Sequence, residues 1–151
     1  MNNMTDMAEQ LDVKLLLSTL MALKKGDFSV RLPNDLEGID GKIADAFNDV
    51  IELNERMANE LERLSRVVGR EGKIGERASL GAARGAWADS IDSVNELVSD
   101  LLHPISETAR VIGAVAKGDL SQTMALEMED RPLQGEFLRT AKIVNKMVDQ
   151  L

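Results

Sequence analysis

The side chain with the most chemistry to offer is His103, the only histidine of a 151-residue chain that contains no cysteine. An imidazole can act as an acid or a base, and its nitrogen can accept a phosphoryl group. His103 stands in the run Leu101-Leu102-His103-Pro104. Two interpretations stand here: a phosphoacceptor, or a histidine at the surface or at the start of a helix.

Carboxylate pairs and clustered glycines are the other candidates for chemistry. Glu127 with Glu129, and Asp89 with Asp92, could offer oxygen ligands, but no calcium-loop spacing surrounds them, so a solvated charged face is the favoured interpretation. The glycine-rich stretch 69–85 lacks a preceding strand and the Gly-Lys-Ser/Thr ending of a phosphate loop, which favours a connector. Without a nucleophile, base and nucleotide site, the segment is predicted to be no enzyme and to hold no cofactor or metal.

A threefold spacing organises the elements that carry these residues. Gly26, Gly72 and Gly118 lie 46 residues apart, and each closes an apolar helical stretch and opens a short connector. A second helical stretch follows each connector, marked in turn by Phe47-Asn48, Val94-Asn95 and Val144-Asn145. The chain is therefore predicted to be a stack of three helix–connector–helix repeats.

The first repeat shows how these elements are read from the sequence. From Leu11 onward, apolar residues at three-and-four spacing predict a helix that ends at Gly26, which can take the positive φ that stops it. Phe28, Val30 and Leu32 alternate with polar residues, so an extended connector can point them the same way, toward the helices. Residues 1–9 are predicted to be a flexible tail.

Heptad patterns dominate the second helices. One apolar seam steps by four and three residues over about four heptads, which predicts a coiled coil running from the first repeat into the second without a linker. Asn54 lies in this seam, where it either sets the register of the helix pair or faces solvent.

A similar seam from Trp87 to Val115 is interrupted by Pro104, where the helix either kinks or begins anew. Trp87 either packs in the core or anchors a partner. The seam residues are Ile43, Phe47, Val50, Asn54, Met57, Leu61, Leu64 and Val68, and a third run is Phe137, Ala141, Val144, Val148 and Leu151.

Composition narrows the partners. Three Phe, one Trp and no Tyr leave little to fill a globular interior, whereas aliphatic residues suit coiled coils. The net charge of −8 argues against nucleic acid or anionic lipid as the main partner. The N-terminus lacks a secretion signal, and the longest apolar run, Leu15-Leu16-Leu17, is far shorter than a bilayer span. We therefore expect a cytoplasmic segment that does not cross a membrane.

These motifs resemble the HAMP domain, a helix–connector–helix relay module of histidine kinases and chemotaxis receptors. Lys25-Gly26-Asp27-Phe28-Ser29 and Ala116-Lys117-Gly118-Asp119-Leu120-Ser121 are similar to the family's passage from first helix to connector. Pro104 resembles the proline that often begins the first helix, and Gly135-Glu136 the start of the second. Val144-Asn145-Lys146-Met147 resembles a signature of that second helix, and the likeness extends over residues 10–151.

The resemblance implies an all-α fold of three HAMP units, each a parallel homodimeric four-helix coiled-coil bundle, stacked end to end through continuous helices. The units span residues 10–57, 58–101 and 102–151, after the 1–9 tail, and the arrangement resembles tandem arrays of soluble hybrid histidine kinases. The implied function is an intramolecular signal relay to a downstream kinase. The alternatives are a passive dimerisation spacer and the HAMP region of a soluble chemotaxis receptor. The residues expected to carry structure and relay are Gly26, Gly72, Gly118, Pro104, Glu136, Phe28, Leu120, Phe47, Val94, Val144 and Asn54.

Overall fold

The computed structural model describes residues 10–151, so the predicted tail 1–9 lies outside the described residues. The described part is mostly helical, which confirms the all-α class. The chain divides into two compact units, one extending to Ile91 and the other from Asp92 to Leu151. Neither unit contains a helix with the length and hydropathy that crossing a membrane requires, over the residues described.

Within its described residues, the first compact unit contains two helices, a π-helical segment, two connectors and the start of a further helix. Helix α1, Val13–Lys24, begins where the Asp12 carboxylate accepts hydrogen bonds from the backbone N–H groups of Lys14 and Leu15. Helix α2, Gly38–Leu64, follows connector one (residues 25–37) and continues without a break into a π-helical segment, Ser65–Arg70. Connector two (residues 71–85) follows. The predicted continuity from the first repeat into the second is confirmed, but the last turns are π-helical rather than α-helical.

Buried and exposed side chains alternate along connector one, as its sequence predicts. Phe28 and Val30 are half-buried and Leu32 is buried, whereas Ser29 and Arg31 between them are exposed. Extended backbone sends successive side chains to opposite sides, so the apolar set lies against the helices. The prediction of a packed connector is confirmed for this segment.

The second compact unit is built around helices α3 and α4. Helix α3, Ala86–Ala116, begins among the last residues of the first unit. Connector three (residues 117–134) leads to helix α4, Gly135–Asp149. Its core joins both helices and the connector, with Met124 of the connector 3% exposed. The core residues are Val111, Met124, Ala141, Val144 and Val148, with Val115 and Leu133 packed against them.

Pro104 lies inside helix α3 rather than at the start of a new helix. Of the two alternatives for Pro104, a kink or the start of a new helix, the start of a new helix is therefore wrong. A proline removes one backbone N–H from a helix, at a cost of roughly 3 kcal/mol. Pro104 is buried, and its carbonyl accepts a hydrogen bond of 2.8 Å from the Thr108 hydroxyl, so packing around this turn offsets that cost.

Connector three contains a small hairpin. Strand β1, Glu127–Met128, pairs antiparallel with strand β2, Arg131–Pro132. Glu129 and Asp130 turn the chain with φ of 50° and 61°, the left-handed conformation of a tight hairpin turn.

Much of the predicted seam on α2 is uncovered within one chain. Ile43, Val50 and Leu61 are 42%, 44% and 41% exposed, whereas Leu64 near the helix end is buried. On α4 the pattern is reversed, since Ala141, Val144 and Val148 are buried in the core of their own chain. Within one chain, the buried residues of the α4 run are thus covered, whereas much of the α2 seam is exposed.

Candidate functional site

The second residue of each connector is a glycine with positive φ. Gly26, Gly72 and Gly118 have φ of 86°, 69° and 85°. At the first and third, the glycine N–H donates to the carbonyl three residues back and the following Asp N–H to the carbonyl five back, all at 2.9–3.0 Å. These bonds satisfy helix-end carbonyls that would otherwise lack partners. All three glycines thus have the left-handed backbone that favours glycine at a helix end.

An Asp-x-Ser turn follows the first and third of these glycines. The Asp27 carboxylate accepts from the backbone N–H and the hydroxyl of Ser29, at 3.0 and 2.5 Å. Asp119 accepts the same two bonds from Ser121, at 2.9 and 2.5 Å. The serine hydroxyl first, then its N–H, holds the pKa of each aspartate below its usual value. The turn fixes the direction in which connectors one and three leave their helices.

An asparagine side chain holds the middle of connectors one and three. The Asn48 carboxamide of α2 accepts from the backbone N–H of Leu32 at 2.8 Å and donates to its carbonyl at 3.0 Å. Asn145 of α4 repeats this pair on Met124, at 2.7 and 3.0 Å. We call each pair of bonds an asparagine clamp. A carboxamide has one acceptor and one donor side by side, so it can pair with extended backbone as a neighbouring strand would.

A glutamate–arginine pair fastens connectors two and three to the helix that precedes them. Arg63 pairs with Glu60 and donates to the carbonyl of Arg77 at 2.7 Å, while Glu60 accepts from the N–H of Ser79 at 2.9 Å. In α3, Arg110 pairs with Glu107 at 2.8 Å and donates to the carbonyl of Thr123 at 3.0 Å. We call each pair with its connector carbonyl an arginine clamp.

Pairing within the arginine clamps shifts the pKa of both the glutamate and the arginine. The Arg63 guanidinium, and then the N–H of Ser79, lowers the pKa of Glu60. Arg110 likewise lowers the pKa of Glu107 by donating hydrogen bonds to its carboxylate. The carboxylates in turn raise the pKa of Arg63 and Arg110. Hydrogen bonds to ionised groups are stronger than neutral ones, which suits these pairs to hold a connector in place.

The predicted structural residues are distributed unevenly around these contacts. Val144 lies in the core beside Met124, whereas Leu120 is 46% exposed. Phe28, Phe47 and Val94 are half-buried. The structure thus brings one of these apolar residues fully into a core and leaves the others at its margin or outside it.

The two predicted polar positions make local contacts. Glu136, in the first turn of α4, lies 3.5 Å from Arg139 in a pair whose side chains are 82% and 70% exposed. Asn54 is half-buried and donates to the carbonyl of Val50 in its own helix at 2.8 Å. His103 is exposed. None of these three contributes to a clamp.

The sequence analysis did not select the clamp residues as site residues. A signal for the asparagines was present, because an Asn follows the apolar marker of each second helix, including Asn48 and Asn145. The arginine clamps also had a signal, since Glu60 with Arg63 and Glu107 with Arg110 share a three-residue spacing. Residues three apart are neighbours on a helix surface, so that spacing marks an ion pair.

The fold and the clamps define a helix–connector–helix module. The sequence model of the HAMP domain family matches residues 82–151, a range that begins in connector two and includes α3, connector three and α4. The match supports the HAMP assignment for this part of the chain. HAMP domains are non-catalytic signalling linkers of sensor proteins and function as dimers joined to output domains. No solved structure matches the chain.

Proposed function

We propose that residues 10–151 relay a conformational signal through three consecutive HAMP units, 10–57, 58–101 and 102–151. The family match supports the last part of this proposal directly, and the repeated glycines and connector spacing extend it to residues 10–81. In this proposal two copies pair in parallel, and the output is a downstream histidine kinase of the cytoplasm. The relay needs an element that both neighbouring connectors can move.

Helix α2 is such an element, and this observation carries the proposal. Asn48 on α2 holds connector one, and Arg63 near its end holds connector two. The 15 residue steps from Asn48 to Arg63 lie in one unbroken helix, which at about 1.5 Å per step gives a separation of roughly 22 Å along the axis. A rotation or shift of α2 therefore acts on both connectors together.

Arg56 and Glu60 strengthen this coupling. The Arg56 guanidinium donates to the carbonyl of Leu80 at 2.7 Å, and Glu60 accepts from the N–H of Ser79. Connector two is therefore attached to α2 along several successive residues. Helix packings have few discrete states, so a difference of a few kcal/mol is enough to change which one is populated.

Phase changes in α2 test the relay in the complete protein. Inserting one residue between Met57 and Leu61 turns everything after it by about 100° relative to Asn48. A seven-residue insertion at the same place keeps the phase within about 20° and serves as the matched control. We expect the single insertion to invert or abolish regulated kinase output and the heptad insertion to retain it; equal output from both would exclude the relay.

A passive dimerisation spacer is the second candidate, favoured by the uncovered seam of α2. Replacing residues 10–151 with a plain parallel coiled coil distinguishes the two. A spacer would keep regulated output after this replacement, because only pairing of the copies matters. A relay would lose regulation while the copies remain paired. If the output domain is that of a chemotaxis receptor, the same replacement applies with receptor output as the measurement.

A further inference from the structure

The end of the helix before connector two contains one residue more than the two equivalent ends. Two residues separate Leu23 from Gly26, and two separate Val115 from Gly118, but three separate Val68 from Gly72. After the glycine the three connectors have the same spacing, since Leu32, Ala78 and Met124 each lie six residues beyond their glycine. The extra residue therefore belongs to the helix end.

Backbone hydrogen bonds show how the helix end accommodates the extra residue. Asp27 N–H donates to the carbonyl of Ala22, and Asp119 N–H to that of Ala114, each five residues back. The equivalent Lys73 N–H donates at 3.0 Å to Val67, six residues back. The π-helical segment Ser65–Arg70 lies in this interval, and Glu71 N–H donates to Arg66 five residues back. One wide turn thus encloses the added residue.

Contacts on both sides of the π-helical segment keep the register that the other ends have. Arg63 and Arg110 reach connector carbonyls 46 residues apart, those of Arg77 and Thr123. An α-helical path from Leu64 onward would instead turn Gly72 by about 100° and advance connector two by one residue against Arg63. The π-helical turn is what keeps the arginine clamp of connector two in place.

This helix end also lacks features that stabilise the other two. Lys73 stands where Asp27 and Asp119 form their Asp-x-Ser turns. Gly69 follows Val68, where Ala116 follows Val115, and glycine is the weaker helix former. π-helical turns are rare; they occur mostly as single turns within α-helices and frequently at functional sites.

We propose that Ser65–Arg70 is a releasable helix end. It changes between the π-helical form and a form that passes its extra residue into connector two, which releases the arginine clamp at Arg77. In the second form connector two loses its bond to Arg63 and keeps those to Arg56 and Glu60. This inference goes beyond the relay and does not depend on it, because it concerns only local opening of one helix end.

Amide hydrogen exchange in the unmodified chain tests it. The protection factor of each amide compares its exchange rate with that of an unstructured peptide, so local opening lowers it. We expect the factors at Glu71 and Lys73 to be about tenfold lower than at Asp27 and Asp119. A difference smaller than threefold overturns the proposal.

Two length variants assign the cause. Deleting Gly69 restores the two-residue spacing, and we expect it to raise protection at Lys73 about tenfold. Inserting one glycine between Ala116 and Lys117 copies the longer spacing into α3, and we expect it to lower protection at Asp119 about tenfold. If the deletion variant does not fold, the insertion decides; changes below threefold exclude the extra residue as the cause and overturn the proposal.

Discussion

At the scale of single residues, the asparagine clamps are the contacts on which the connectors most depend. Each clamp pairs a half-buried carboxamide with the N–H and the carbonyl of a buried connector residue, Leu32 or Met124. Buried backbone groups that lose their partners cost more than a new hydrogen bond returns. The side chain at this position must therefore supply one acceptor and one donor next to each other, and a polar group with only one of them is not enough.

Replacing Asn145 with alanine is expected to lower the free energy of unfolding by about 2–4 kcal/mol, because both backbone groups of Met124 lose their partner. Asn54→Ala is the matched control, since its side chain bonds only a carbonyl of its own helix, and we expect a change within about 0.5 kcal/mol. Urea unfolding at one protein concentration measures both. Equal losses in the two variants would contradict a clamp at Asn145.

The arginine clamps predict weakening in acid. The folded chain lowers the pKa of Glu107, so the contribution of this group to stability is present above its unfolded pKa, about 4.3, and is lost as the pH falls through the lower folded value. We expect Glu107→Gln to reduce the drop in Tm between pH 6 and pH 3. Glu96→Gln, an exposed charge removed from the same helix, should leave that drop unchanged. A drop identical in all three proteins would show that Glu107 makes no contribution to acid unfolding.

At the scale of elements, the start of α2 depends on one close approach. A Cβ at Gly41 would lie 2.2 Å from the carbonyl oxygen of Leu36, in backbone that cannot rotate away. The buried glycine thus lets the end of connector one lie directly against the first turn of α2.

Two glycine substitutions should therefore have opposite signs. Gly41→Ala is expected to destabilise the fold by about 1–3 kcal/mol through overpacking. Gly113→Ala in α3, where a Cβ meets no atom within 4 Å, is expected to stabilise it by about 0.5–1 kcal/mol, because alanine loses less backbone entropy. Thermal unfolding of the two variants measures this, and a loss at Gly113 as large as at Gly41 would contradict the close approach.

How far the sequence predicts these elements depends on how local their causes are. The helix end at Gly26 could be predicted because left-handed backbone is a property of glycine itself. The Asn48 clamp could not, because its partner Leu32 lies 16 residues away and is brought near only by folding. At Pro104 the sequence leaves a kink and a new helix open, because the burial of that turn follows from folding and not from the local sequence.

Two local features, the π-helical segment before connector two and the hairpin in connector three, are not predictable from the sequence pattern. The spacing of apolar residues shows which side chains share a helix face, but it does not distinguish an α-helical turn from a π-helical one. The pattern therefore predicts α-helix at Ser65–Arg70, where the structure has a π-helical segment. Glu129 and Asp130 adopt left-handed backbone without being glycine, so the hairpin has none of the usual Asn-Gly sequence signal. Both features follow from the number of residues that must fit between fixed contacts.

At the scale of the whole molecule, the second compact unit leaves an apolar stripe uncovered on α3. Leu97, Leu101, Ile105 and Ile112 are 57%, 44%, 62% and 49% exposed. They recur at spacings of four and seven residues, as on one face of a helix. In the paired arrangement proposed above, a second copy of the chain would cover this stripe.

Ile105→Glu is therefore expected to weaken pairing of two chains at least a hundredfold. Burying an isoleucine contributes about 1.5–3 kcal/mol, and a symmetric pair loses two of them. Ser106→Glu, the exposed neighbour one position round the helix, introduces the same charge and should leave pairing within threefold. Sedimentation equilibrium over micromolar concentrations measures both, and monomeric unmodified protein would remove the paired arrangement altogether.

The hairpin of connector three has a practical consequence. Its tip, Glu129-Asp130, is exposed, and the backbone reverses there before Leu133 N–H donates to the carbonyl of Leu126 at 2.8 Å. Exposed loop tips tolerate added residues better than any packed element. A short peptide that binds a fluorophore can therefore be spliced into this tip, a few residues before α4, to report on the last helix while the clamps remain untouched.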